Sequence, residues 1–171
     1  MLIIFTGNGK GKTTAALGQM FRAVAGGKNK AVMFQFIKSK GYPSGEDRTA
    51  RLLGNKMKIV KGGIGFVGIL GDKHKFSEHV VAAKRTWKMA KSEIKKDKYA
   101  LFVLDELNNA IGLKLLSLKE VLPFIKKYAK TRNIIITGRG AKKQLLALAD
   151  IATEMREIKF RYAKARKGVE F

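Results

Sequence analysis

At 171 residues the chain has room for one ordinary domain with a full core, taken here as residues 1–171, and too little for two. The absence of cysteine excludes disulfides, iron–sulfur clusters and thiolate-built zinc sites, and no apolar run nears the roughly 18 residues that cross a bilayer. The 36 Lys and Arg against 13 Asp and Glu leave a net charge of +23, a field that draws anions, but they are spread from end to end without a nucleic-acid motif, so nucleic acid is not an expected partner.

Residues 1–6 read as a buried strand around Leu2-Ile3-Ile4-Phe5, too short an apolar run for a signal peptide, so a cytoplasmic protein is expected. Gly7-Asn8-Gly9-Lys10-Gly11-Lys12-Thr13-Thr14 follows and opens a helix over residues 12–25, ended by Gly26-Gly27. Strand, glycine-rich turn, Gly-Lys-Thr and helix, in that order, make a phosphate cradle. Its glycines turn backbone N–H groups inward, Lys12 reaches phosphate oxygens, and the Thr13 hydroxyl suits a magnesium ion. The loop is short: the usual pattern asks for glycine at position 6, which is Thr6, and Gly7 leaves only three residues before Gly11.

Ala31–Ile37 reads as a second strand, Lys38–Glu46 as a loop, and Lys58-Ile59-Val60 as a short strand. Residues 61–71 are glycine-rich and apolar together, an unusual mix for a solvated linker. From Ser77 the apolar positions Val80, Ala83, Trp87, Ala90 and Ile94 alternate steps of three and four, which predicts a helix with a lysine-rich outer face. His74 and His79 lie in a polar, Lys-rich stretch without a partner at metal spacing and are expected at the surface. Tyr99–Leu104 is a buried strand ending in Asp105-Glu106. Ser117-Leu118-Lys119-Glu120 has capping-box spacing for a helix to about Ala129. Asn133–Thr137 is a strand ending at Gly138-Arg139-Gly140; a short helix near Lys142–Leu148 and a last strand within Ile151–Ile158 complete the pattern, before a tail from Lys159 with five basic residues and one acid.

Strands alternating with helices predict an α/β fold: a single P-loop, RecA-like domain with a mostly parallel sheet flanked by helices on both faces. Ligands of such sheets bind at the carboxyl ends of the strands, which gathers the loop Gly7–Thr13, the acids Asp105 and Glu106, and Arg139. A carboxylate there is the expected partner of Thr13 on magnesium. Successive strand residues point to opposite faces, so only one of Asp105 and Glu106 is expected to face the phosphates. Arg139, between two glycines, suits a phosphate or a developing negative charge.

The run Gly7–Ala16, with Gln35-Phe36-Ile37-Lys38, Val103-Leu104-Asp105-Glu106-Leu107, Ile135-Ile136-Thr137-Gly138-Arg139-Gly140, Leu148-Ala149-Asp150 and Lys167-Gly168-Val169-Glu170-Phe171, resembles the ATP:corrinoid adenosyltransferases of the cobalamin pathway, in order and over nearly the whole chain. The short glycine loop is itself a trait of that family. The resemblance implies transfer of the 5′-deoxyadenosyl group of ATP to the cobalt(I) of a corrinoid, with tripolyphosphate as leaving group, giving adenosylcobalamin or an adenosylated precursor. It implies ATP lying reversed along Gly7–Thr14, with Lys10, Lys12, Arg139 and magnesium on Thr13 and Glu106 facing the leaving group, and Asp105 as the second choice of metal carboxylate. It also implies a homodimer and, for cobalt(II) reduction, an acidic flavodoxin-like donor drawn by the basic surface.

Two departures stand out. Where the family carries a Gly-Phe-Thr-Trp type segment whose aromatic rings help strip the lower ligand from cobalt, this chain has Gly65-Phe66-Val67-Gly68. Phe66 is the candidate corrinoid contact, and Gly68 replaces the tryptophan. The chain also starts at the first strand, where relatives often carry a segment covering the nucleotide, so a more open site, or another means of closing it, is expected. The competing reading is a nucleic-acid-stimulated P-loop ATPase; a nucleoside kinase with a cysteine-bound zinc loop cannot be built from this sequence.

Overall fold

A computed structural model describes residues 1–26, 29–41, 44–69, 71–159 and 168. Gly27 of the expected helix stop, Pro43 and most of the basic tail lie outside the described residues. The elements are β1 (Leu2–Thr6), α1 (Lys12–Ala25), β2 (Ala31–Gln35), α2 (Gly45–Leu52), β3 (Met57–Lys61), α3 (Phe76–Lys96), β4 (Leu101–Asp105), α4 (Leu107–Gly112), α5 (Leu118–Tyr128), β5 (Ile134–Thr137), α6 (Lys143–Leu146) and β6 (Ile151–Glu154).

The strands form one sheet in the order β3-β2-β4-β5-β1-β6, and every pairing is parallel. Alternation along the strands divides their apolar runs between two cores. Val32, Phe34, Phe102, Leu104, Ile134 and Ile136 meet Ala83, Trp87, Ala90 and Ile94 of α3 and Val121 and Ile125 of α5 on one face. Ala31, Met33, Leu101, Val103 and Ile135 meet Ala16, Met20 and Val24 of α1 and Ala50 of α2 on the other. β2, β4 and β5 are buried at every position, whereas the edge strand β6 is exposed along its length.

Three local readings change. The stretch expected as a loop to Glu46 turns into α2 at Gly45, because Ser44 and Asp47 form a capping box whose carboxylate accepts from the Ser44 N–H at 2.8 Å. α5 starts where expected, but without the expected box: the Ser117 hydroxyl caps it by accepting from the Lys119 N–H at 3.2 Å, while Glu120 pairs with Lys91 at 3.6 Å. His74 is exposed as expected, but His79 is 3% exposed, since its Nε2 lies 2.9 Å from the carboxylate of Asp72, a partner that the Lys-rich stretch concealed.

Candidate active site

The phosphate loop is shaped by two glycines with left-handed backbone, Gly7 (φ 97°) and Gly11 (φ 101°), the second directly preceding α1. Its shortness has a visible counterpart. The loop rests on the chain that leaves β6, where the Gly9 N–H donates to the Met155 carbonyl at 2.7 Å and the Met155 N–H to that of Thr6 at 2.8 Å. A Cβ on Gly9 would come within 2.8 Å of the Arg156 backbone, and one on Gly7 within 2.4 Å of the Met155 oxygen. Lys12 folds over the loop and donates to the carbonyls of Gly7 and Gly9; burial, then the charge of Arg139, lower its pKa.

At the end of β4, Asp105 is fully buried and held by three donors. Its Oδ1 accepts from the Thr13 hydroxyl at 2.9 Å and the Thr137 hydroxyl at 2.7 Å, and its Oδ2 from Gln35 Nε2 at 3.1 Å. Glu106 does not continue the strand. It takes a left-handed conformation (φ 61°) that caps α4, with its N–H donated to Thr137 Oγ1 at 2.9 Å. That turn defeats the expected alternation: Asp105 touches Thr13 while Glu106 lines the cavity beside Lys12 and Thr13. Burial, and then the charge of Asp105, push the Glu106 pKa up to about 7.

That cavity, of about 780 Å³, joins two kinds of wall. Asn8, Gly9, Lys10, Lys12 and Thr13 form the polar side with Glu106 and Arg139; Phe66, Val67, Ile69 and Leu113 form an apolar side. Phe66 is 53% exposed, so it is not a packed core residue. Gly11 and Thr14 line a second groove across the loop, with Lys38 and Glu46. Those two pair at 2.8 Å; although burial opposes its charge, the Glu46 hydrogen bond and the nearby acids Asp105 and Glu106 hold the Lys38 pKa above the usual range.

Arg139 comes to the cavity on a loop held by α4. Its N–H donates to Asn109 Oδ1 at 2.7 Å, and Asn108 Nδ2 donates to the Gly138 carbonyl at 3.3 Å. Thr137, Gln35 and Asn109 are therefore parts of the site that spacing did not single out. The signal for the first two is their place as the last residues of β5 and β2, the strands that flank β4. Asn109 has no comparable local signature.

The model of the family described as ATP:corrinoid adenosyltransferase BtuR/CobO/CobP matches residues 1–171. Among similar curated proteins, "Corrinoid adenosyltransferase" of Escherichia coli (strain K12) is 33% identical over 174 residues, covering 100% of this chain and 85% of that protein. One from Sinorhizobium sp is 34% identical over 175 residues, covering 100% and 80%. "Corrinoid adenosyltransferase CobA" of Salmonella typhimurium is 33% identical over 174 residues, covering 100% and 85%. Among solved structures, the flagellar accessory protein FlaH from Methanocaldococcus jannaschii superposes with a TM-score of 0.52 over 90% of this chain and 69% of that one; at 10% identity this likeness concerns the fold alone.

Proposed function

The chain belongs to the ATP:corrinoid adenosyltransferase family, transferases that move the adenosyl group of ATP onto a corrinoid, and from that premise we propose how its own residues carry out the transfer. The supporting observation is the two-sided cavity: a phosphate loop and cations on one wall, exposed apolar side chains on the other, with room between them for a nucleotide to meet a large flat ring.

ATP lies with its triphosphate along Gly7–Thr14 and the 5′-carbon of its ribose turned toward Phe66. Cobalt(I) of the substrate attacks that carbon in line, the carbon–oxygen bond breaks, and its electron pair leaves with tripolyphosphate. Charge grows on the leaving group, so Lys10, Lys12 and Arg139, already gathered at the cavity, favour the transition state over the ground state. Lys12 exchanges the carbonyls of Gly7 and Gly9 for phosphate oxygens.

A magnesium ion fits the donors present. The Thr13 hydroxyl, the buried Asp105 carboxylate and the Glu106 carboxyl meet at one strand end, where burial and then the charge of Asp105 hold the Glu106 pKa up to about 7, so that a bound cation would favour its ionised form. Thr13 and Glu106 would hold the ion, with Asp105 orienting Thr13 from behind. Bound there, magnesium would neutralise part of the triphosphate charge.

Residues 1–171 act as one nucleotide-binding domain on this reading, as a homodimer in the cytoplasm, with an acidic flavodoxin-like protein supplying electrons to cobalt(II). Among the described residues no helix is long and apolar enough to cross a membrane. The test is an anaerobic assay with ATP, magnesium and chemically reduced cobalamin. Loss of the cobalt(I) spectrum with light-sensitive adenosylcobalamin and tripolyphosphate appearing, and abolition by Lys12→Ala, are expected. Release of ADP and phosphate, faster with DNA or RNA, would instead make the chain a nucleic-acid-stimulated ATPase.

A further inference from the structure

Most of the apolar wall of the cavity stands on a glycine-rich loop whose near end is held, Val67 packing on the core and the Gly65 N–H donating to the Ile37 carbonyl at 3.1 Å, while its tip is not. Phe66 and Ile69 are 53% and 59% exposed, so burial does not hold them, and Gly65, Gly68 and Gly71 all take positive φ. Glycines in that number leave a chain with many alternative conformations, and a wall built on it needs an anchor.

One carboxylate supplies the anchor. Asp72 accepts from the Gly68 N–H at 2.8 Å, from the His74 N–H at 3.0 Å, and lies 2.9 Å from Nε2 of His79 in the first turns of α3. The Asp72 side chain is 7% exposed and that of His79 3%, so water competes little for the pair. The amides of Gly68 and His74, and then His79, hold the Asp72 pKa down to about 2, which keeps the acceptor charged. A single group thus ties the tip of the loop to a long helix packed on the sheet.

The same contact accounts for the departure at position 68. Gly68 donates to Asp72 with φ +70°, and a Cβ there would meet nothing within 4 Å. Space therefore does not demand glycine; the left-handed backbone that the anchor imposes favours it, and a tryptophan would be strained there. In place of a second ring, this chain has a buried acid–imidazole clasp.

We infer that Asp72 and His79 are positioning residues for the corrinoid, holding Phe66 and Ile69 as the apolar surface on which the ring seats. Neither touches the phosphate loop, so their effect falls on the corrinoid and not on ATP. The inference rests on the adenosyltransferase reading. It also adds to that reading, because it assigns recognition to side chains outside the cavity.

The experiment measures KM for cobalt(I) cobalamin and for ATP separately in the wild type, Asp72→Asn, His79→Leu and His79→Gln. Asp72→Asn and His79→Leu are expected to raise the corrinoid KM about tenfold, the scale of one lost charge-assisted hydrogen bond, with the ATP KM within about twofold. His79→Gln keeps a donor toward Asp72 and is expected to restore most of the difference. The double variant Asp72→Asn/His79→Leu should be little worse than either single one, because each breaks the same relay from Gly68 through Asp72 to His79. An unchanged corrinoid KM, or ATP and corrinoid KM rising together, would overturn the inference while leaving the function standing. A wild type that adenosylates no corrinoid would overturn both.

Discussion

Thr13 and Asp105, 92 residues apart in the chain, are joined by a 2.9 Å hydrogen bond that links the first turn of α1 to the end of β4. Thr137 supports the bond from the neighbouring strand, donating to the same carboxylate oxygen at 2.7 Å while accepting the N–H of Glu106. One hydroxyl therefore orients both acids. Thr137→Val keeps the shape of the side chain and removes both bonds, leaving a buried carboxylate one donor short and the Glu106 N–H without its acceptor. A stability loss of about 1–3 kcal/mol in urea unfolding is expected, with kcat falling at least about tenfold as Glu106 loses its turn. Full activity in a destabilised variant would show that Thr137 serves the fold alone.

Glu106 gives a pH signature. Its pKa rises from 4.5 to about 7 on folding, so between those values the folded chain holds a proton that the unfolded chain has released. Stability contributed by this group therefore falls as pH rises from about 4.5 to about 7, then levels off. Glu106→Gln lacks that fall. In metal-free buffer it should match the wild type near pH 4 and exceed it above pH 7, by on the order of 3 kcal/mol. Magnesium with ATP should remove most of the advantage by giving the carboxylate a cation. Parallel pH–stability curves for the two proteins would contradict this account.

The short loop makes a steric prediction. Gly9 lies so close to the backbone of Met155 and Arg156 that Gly9→Ala must separate the loop from the chain leaving β6. The bond from the Gly9 N–H to the Met155 carbonyl should weaken with it. We expect the ATP KM to rise about tenfold or more and the corrinoid KM to change little, because Phe66 and Ile69 stand on a separate loop. An ATP KM within error of the wild type would mean that the loop does not depend on its seat.

The phosphate loop, the parallel sheet and the gathering of Gly7–Thr13, Asp105, Glu106 and Arg139 were legible because each depends on local spacing or on a buried apolar run. What escaped depends on partners distant in sequence. Alternation along a strand set Asp105 against Glu106, but Thr137, 31 residues on, accepts the Glu106 N–H in a left-handed turn that brings both acids to the site. His79 read as a surface residue because lysines surround it; its environment is made by Asp72, in a glycine-rich loop with no periodicity to read. The short helices α2 and α4 span 8 and 6 residues, too few for a helical period to stand out. Asp150, noted for its resemblance, has a plain structural task, accepting the Leu2 N–H at 2.6 Å and so fixing the start of β1.

The proposed acidic donor would meet a strongly basic surface. Lys84, Arg85, Lys88 and Lys95 are exposed on α3, part of a chain with a net charge of +23. An acidic flavodoxin-like donor would be steered by this field, and steering between exposed charges fades as salt shortens the screening length from about 10 Å at 0.1 M to about 3 Å at 1 M. Turnover of cobalt(II) corrinoid driven by such a donor should therefore fall about tenfold between low and high salt, mainly through association. Turnover with a small chemical reductant, which needs no docking, should change less than about twofold. Lys84→Glu/Lys88→Glu should weaken the donor-driven rate and leave the chemically driven one alone, since neither residue lines the cavity. Equal salt sensitivity of the two rates would place the salt effect on nucleotide binding and remove the case for a docked donor.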